Sequence, residues 1–213
     1  MNKMMIPRSP ITLLAVAFIL VSSAASAFAQ KRYCEIPPPS PFKHTALIVT
    51  RYDKPAKRMK TVLEHPLSLG HAGGDALYLS ASFFFSDPRL RARPMLELHF
   101  ISVSKEPKLR NSPDVTILAD AARLPLVGRA QYQSVKGEKG FVHETITATV
   151  TYDTLFNLIR AKRVIAQLGS AHFELTNNHL ESLREVASLM APQERNMILA
   201  SRLGTRPRQV TTH

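Results

Sequence analysis

The chain has 213 residues, with 28 Lys and Arg against 16 Asp and Glu, a formal charge of +12, one cysteine and no tryptophan. A hydrophobic share of 45% argues against disorder, and the lone thiol, Cys34, excludes an internal disulfide framework, so a packed core must hold the fold. Basic stretches without interleaved aromatics, in a chain without tryptophan, fit poorly to single-strand nucleic-acid readers and to many carbohydrate-binding modules, and a nucleic-acid partner is not expected.

Residues 1–29 have the three parts of a secretory signal: Lys3 and Arg8 with no acidic residue, an apolar run over 11–21, and mostly small residues over 22–29. The apolar run is shorter than the roughly 20 residues that span a hydrocarbon core. It therefore predicts a cleaved leader, with cleavage before Gln30 after Ala27-Phe28-Ala29, or before Phe28 after Ala25-Ser26-Ala27. Loss of Lys3 and Arg8 with the leader leaves a charge of about +10. No later run suits a membrane span, so a secreted or periplasmic chain, soluble or peripheral, is expected. Lys31-Arg32-Tyr33 ahead of Cys34 does not fit a lipid-anchor signal.

Residues 30–43, with Pro37-Pro38-Pro39-Ser40-Pro41, predict a stiff extended lead-in. A single α+β domain is expected over 44–192, followed by a partly flexible basic tail over 193–213. Two β segments are predicted at 46–50 and 59–64, joined by a charged turn around Asp53-Lys54-Pro55. Residues 70–75 read as a loop. Beyond it, Leu77, Leu79, Ala81, Phe83 and Phe85 alternate with Tyr78, Ser80, Ser82 and Phe84, the period of a half-buried strand. A further strand over 95–103 sets Leu96, Leu98 and Phe100 against Glu97, His99 and Ile101.

Short β segments follow at 115–118 and 126–134. A turn at Lys136-Gly137-Glu138-Lys139-Gly140 leads into a long strand over 141–151, with Val142, Ile146, Ala148 and Val150 on its inner face. Asp153 is expected to cap a short helix carrying Leu155, Phe156, Leu158 and Ile159. Residues 164–168 and 173–175 pair across Gly169-Ser170, and Thr176 caps a second helix with Leu180, Leu183, Ala187 and Met190 on one stripe, ending near Pro192. The fold class is therefore α+β, mainly an antiparallel, sandwich-like β meander with a C-terminal helix-hairpin-helix. The run Val150-Thr151-Tyr152-Asp153-Thr154-Leu155-Phe156, with Ala161-Lys162-Arg163-Val164, Leu168-Gly169, Phe173-Glu174-Leu175-Thr176 and Leu180-Glu181-Ser182-Leu183-Arg184, resembles the strand-helix-hairpin-helix ending of uncharacterised secreted bacterial proteins. The resemblance implies architecture and compartment and brings no activity.

Histidines suggest metal chemistry only where they converge with a carboxylate. The nearest sets are His65, His71 and Asp75 around the 70–75 loop, Glu97 with His99, and His172 with Glu174. None has a zinc spacing, and His143-Glu144 lacks the second histidine of H-E-x-x-H. Ser68 is not in a G-x-S-x-G elbow, Cys34 stands in the lead-in without a fixed base, and Gly73-Gly74 lacks a phosphate-loop pattern. No residue is assigned a catalytic, cofactor-binding or metal role, and no cofactor is expected. Phe84, on the face opposite Phe83 and Phe85, marks a candidate protein-binding patch.

The positive charge clusters at Arg51, Lys54, Lys57, Arg58 and Lys60, at Arg89, Arg91 and Arg93, at Lys105, Lys108 and Arg110, at Arg160, Lys162 and Arg163, and at Arg202, Arg206 and Arg208. Such a field favours an anionic envelope glycan, a lipid headgroup or an acidic protein. The expected function is a non-enzymatic secreted or periplasmic binding module. One alternative is a hydrolase or metal-dependent enzyme assembled from scattered residues such as His71, Asp75, Glu97 and His99. Another is a structural envelope subunit that assembles through a sheet edge or Cys34.

Overall fold

A computed structural model describes residues 40–64, 66–72, 75–86, 95–110 and 114–201, excluding the side chains at 71, 72 and 75. The expected leader, Cys34, His65, Gly73-Gly74, Arg89, Arg91, Arg93 and the tail from 202 onward lie outside these residues.

Among the described residues eleven strands form two antiparallel sheets. β1 (Ile48–Asp53) and β2 (Arg58–Leu63) make a hairpin that pairs Asp53 with Arg58 and Ile48 with Leu63. Its turn is closed by the Asp53 carboxylate, which accepts from the Ala56 amide at 2.8 Å. β3 (Leu67–Ala72) and β4 (Asp75–Phe85) form a second hairpin, so residues 70–72 and 75 are strand and not the expected loop. The reason lies in the length of β4. β2 covers only 82–85 of its edge, and β3 pairs with 75–79, with a register shift between Ser68 and Gly70.

β5 (Leu96–Ser104) and β9 (Val142–Val150) pair over their whole lengths, and β8 (Gln131–Lys136) closes the large sheet, whose order is β1-β2-β4-β5-β9-β8 with β3 beside β4. β6 (Val115–Ala119) and β7 (Ala122–Arg123) leave this sheet and join β10 (Val164–Leu168) and β11 (Ala171–Glu174) in a second one, ordered β11-β10-β6-β7. The meander is thus interrupted between β5 and β8. β8 starts at Gln131 and not at 126, because Pro125 cannot donate to a ladder and Gly128 sits at φ 72.

Helix α1 (Tyr152–Arg160) is capped by Thr151, whose hydroxyl accepts from the Thr154 amide at 3.2 Å. Asp153, the expected cap, lies instead inside the first turn, where its charge suits the helix dipole. In α2 (Asn177–Met190), Thr176 and His179 form a reciprocal capping box, and the stripe Leu180, Leu183, Ala187 and Met190 is buried as the periodicity predicts. Both sheets and the helices feed one apolar cluster that includes Leu79, Phe83, Leu98, Phe100, Ile117, Ile146, Leu155, Ala166 and Leu183. Phe42, and Ile198 in α3 (Arg195–Ser201), are buried in the same cluster, so the packed unit reaches beyond 44–192 at both ends.

Two polar networks fix this frame. Arg184, buried on α2, donates to Glu181 at 2.8 Å and through two nitrogens to the Ile159 carbonyl, joining α2 to the end of α1. The fully buried Glu144 accepts from the Lys108 amide at 2.7 Å, the Leu109 amide at 3.1 Å and the Tyr132 hydroxyl at 2.8 Å, so a loop after β5 is tied to β9 and β8. Burial, then the bond to Glu144, raises the Tyr132 pKa.

Candidate functional site

Strand alternation divides the large sheet into a core face and an outer face. In β5 the side chains of Leu96, Leu98 and Phe100 are buried, and Glu97, His99 and Ile101 point the other way. Register then brings together what spacing alone cannot. Ser82 lies opposite Glu97, and His99 lies between Ser80 and Thr147.

The outcome is a closed polar network. The Ser82 hydroxyl lies 3.3 Å from Glu97 Oε2 and 2.9 Å from His99 Nε2, and the Thr147 hydroxyl lies 3.0 Å from His99 Nδ1. Glu97 Oε2 stands 3.7 Å from the same Nε2. Burial lowers the His99 pKa, Glu97 opposes that shift, and Lys60 adds to it. Serine and carboxylate both stand at Nε2, and Ser82 is fully buried. The trio of Ser82, His99 and Glu97 therefore lacks the order of a nucleophilic triad, in which the carboxylate and the serine engage opposite ring nitrogens.

The alternative set His71, Asp75, Glu97 and His99 is divided by the same register. His71 and Asp75 are at the β3–β4 end of the sheet, where Ala76 pairs with Val103, whereas Glu97 faces Ser82. Asp75 and Ser82 are seven positions apart on one strand, roughly 23 Å at a strand's rise. His172 and Glu174 share the exposed face of β11, where Glu174 accepts from Arg163 at 2.9 and 3.0 Å. Among the described residues no three His, Cys, Asp or Glu side chains cluster as metal ligands would.

The β1–β2 hairpin gives the outer face a different character. It carries Arg51, Lys54, Lys57, Arg58 and Lys60 against Asp53 and Glu64. Lys60 pairs in register with Phe84 and with Arg51, and all three point outward. The Arg58 guanidinium lies 5.1 Å and the Lys60 ammonium 5.0 Å from the Phe84 ring centroid. Arg51 is engaged by Glu64 at 2.7 Å, but among the described residues neither Arg58 nor Lys60 has a carboxylate partner within ion-pair distance. The sequence marks Phe84 and the basic run separately. Their meeting is a consequence of β2–β4 pairing.

Comparison with protein families, with curated proteins and with solved structures finds no match to this chain. The resemblance of its carboxy-terminal segment accordingly rests on those residues alone.

Proposed function

We propose that the chain is an exported, non-enzymatic binding module that holds an anionic envelope component, a glycan or lipid headgroup bearing carboxylate or phosphate, at the hairpin end of the outer sheet face. The observation that carries this reading is the convergence of Arg58 and Lys60 on one Phe84 ring without a carboxylate partner among the described residues. Two cations held about one ring repel each other, and an anion between them would relieve that repulsion while pairing both. Lys54 and Lys57 in the turn of the same hairpin add to the positive field on the β2 side of the ring. Away from it the same face carries Glu97 and His99 on β5 and then Thr145, Thr147 and Thr149 on β9. The leader-like residues 1–29 support delivery to a compartment where such anions are abundant.

The test is retention of the mature chain on phosphatidylglycerol-containing vesicles and on an acidic polysaccharide, in low and high salt. Retention on either at low salt, reduced by salt and by the double substitution Arg58→Gln and Lys60→Gln, is expected. Failure to bind either probe, or equal retention of the double variant, would overturn the reading.

A further inference from the structure

A cleft of about 780 Å³ opens where the chain crosses from the small sheet to the large one. It is lined by Asp114 and Val115 at the start of β6, by Arg123 on β7, and by the 124–130 connection to β8. Val115 and Leu124 are buried and form an apolar floor, while Asp114, Arg123 and Arg129 are exposed on its rim. The connection is fixed at two points. The Leu124 amide donates to the Ile117 carbonyl at 2.8 Å, and the Val127 amide donates to the Thr149 carbonyl at 2.8 Å, so each sheet holds one part of the loop. Gly128 follows at φ 72, where a side chain would strain the backbone.

Among the described residues neither Arg123 nor Arg129 pairs with a carboxylate, although both belong to one cavity. Buried apolar side chains beside a few polar ones, at a volume of several hundred Å³, suit a small-molecule site. Guanidinium groups recognise carboxylate and phosphate through paired N–H donors, and a carboxylate on the same rim accepts from hydroxyl groups. The apolar floor suits the C–H face of a sugar ring. We propose that this cleft binds a sugar-sized anion, with Arg123 and Arg129 on its carboxylate or phosphate and Asp114 on its hydroxyls. The cleft shares no residue with the β1–β2 hairpin, and the inference does not rest on the function proposed for that face.

Titration calorimetry of the mature chain with glucuronate, glucose 6-phosphate, glucose and inorganic phosphate tests it. Saturable binding of at least one sugar anion is expected, tighter than that of glucose or inorganic phosphate by about tenfold or more, as one charge-assisted contact provides. The glucuronate and glucose 6-phosphate arms identify the anionic group. Arg123→Ala and Arg129→Ala, both at exposed positions and checked for an unchanged thermal midpoint, should each weaken that binding by about tenfold. The hairpin variant Arg58→Gln with Lys60→Gln should leave it unchanged. No saturable binding of either sugar anion, equal binding of inorganic phosphate, or binding that survives both arginine substitutions would overturn the proposal.

Discussion

His44 Nε2 lies 2.5 Å from Glu185 Oε2, although 141 positions separate the two residues in the chain. The contact belongs to a clasp along one side of α2. Ser40 donates to Glu185 at 2.9 Å, the Lys43 amide to Glu181 at 3.1 Å, and the Thr45 amide to Asn178 at 3.0 Å, with Asn178 returning a bond to Thr45 at 3.1 Å. Residues 178, 181 and 185 share a face because a helix turns every 3.6 residues, and that face receives the extended segment before β1. His44→Ala should therefore lower unfolding stability by about 1.5–3 kcal/mol, the range of a hydrogen bond to a charged group. Urea denaturation measures it, and a loss near zero would show that the clasp does not hold the segment.

Glu144 predicts a larger effect. Its replacement by alanine strips the partner from two amides and from Tyr132 at once. A loss of about 3 kcal/mol or more is expected for Glu144→Ala, against about 1 kcal/mol for Tyr132→Phe, which removes one donor and leaves the carboxylate with its two amides. Paired denaturation curves of the two variants check the ordering.

Ala121 predicts a gain. Asp120 and Ala121 form the two-residue link from β6 to β7, and both have positive φ, 48 and 71. Asp120 is held there because its carboxylate accepts from the Lys162 and Arg163 amides at 3.0 and 2.9 Å. Ala121 bears the steric cost of a left-handed conformation with a Cβ, and Ala121→Gly should raise stability by about 0.5–1 kcal/mol, measured as an increased denaturant midpoint.

Stability should also fall with acid through two histidines. Burial lowers the pKa of His99, and burial likewise lowers that of His179, against the raising effect of the Ser68 and Leu67 backbone. His179 donates through Nε2 to the Ser68 carbonyl at 3.0 Å while Nδ1 accepts from the Thr176 amide at 3.0 Å, an arrangement complete only in the neutral ring. In both cases the unfolded chain binds a proton more readily than the fold does. Their contribution is fully present above the unfolded value of about 6.5 and is lost as pH falls through that value toward the lowered folded one. Denaturation between pH 7 and 5 should show this decline, and the slope should flatten in His99→Gln and His179→Gln variants.

What could be read from the sequence follows physical range. Local signals carried the alternation of β4 and β5, the cap at Thr176 and the stripe of α2, because each depends on neighbours within one element. β3 escaped notice because Ser68-Leu69-Gly70-His71 has turn-like composition and becomes a strand only through the uncovered edge of β4. Ser82, His99 and Thr147 meet through the registers of three strands, and Phe84 gains its two cations through a fourth. No residue spacing encodes those registers. The α+β class with a sandwich-like antiparallel meander was legible, but the cleft at Arg123 and Arg129 depends on β6 and β7 leaving the large sheet, a crossing that no local alternation encodes.

The hairpin assignment is tested most directly by amide chemical shifts of ¹⁵N-labelled residues 30–213 during titration with an acidic polysaccharide and with phosphatidylglycerol in small bicelles. The account predicts that the largest salt-sensitive shifts fall on residues 51–60 and on Phe84, where Arg58 and Lys60 flank the ring. Shifts spread evenly over the basic surface, or concentrated away from that hairpin, would contradict it.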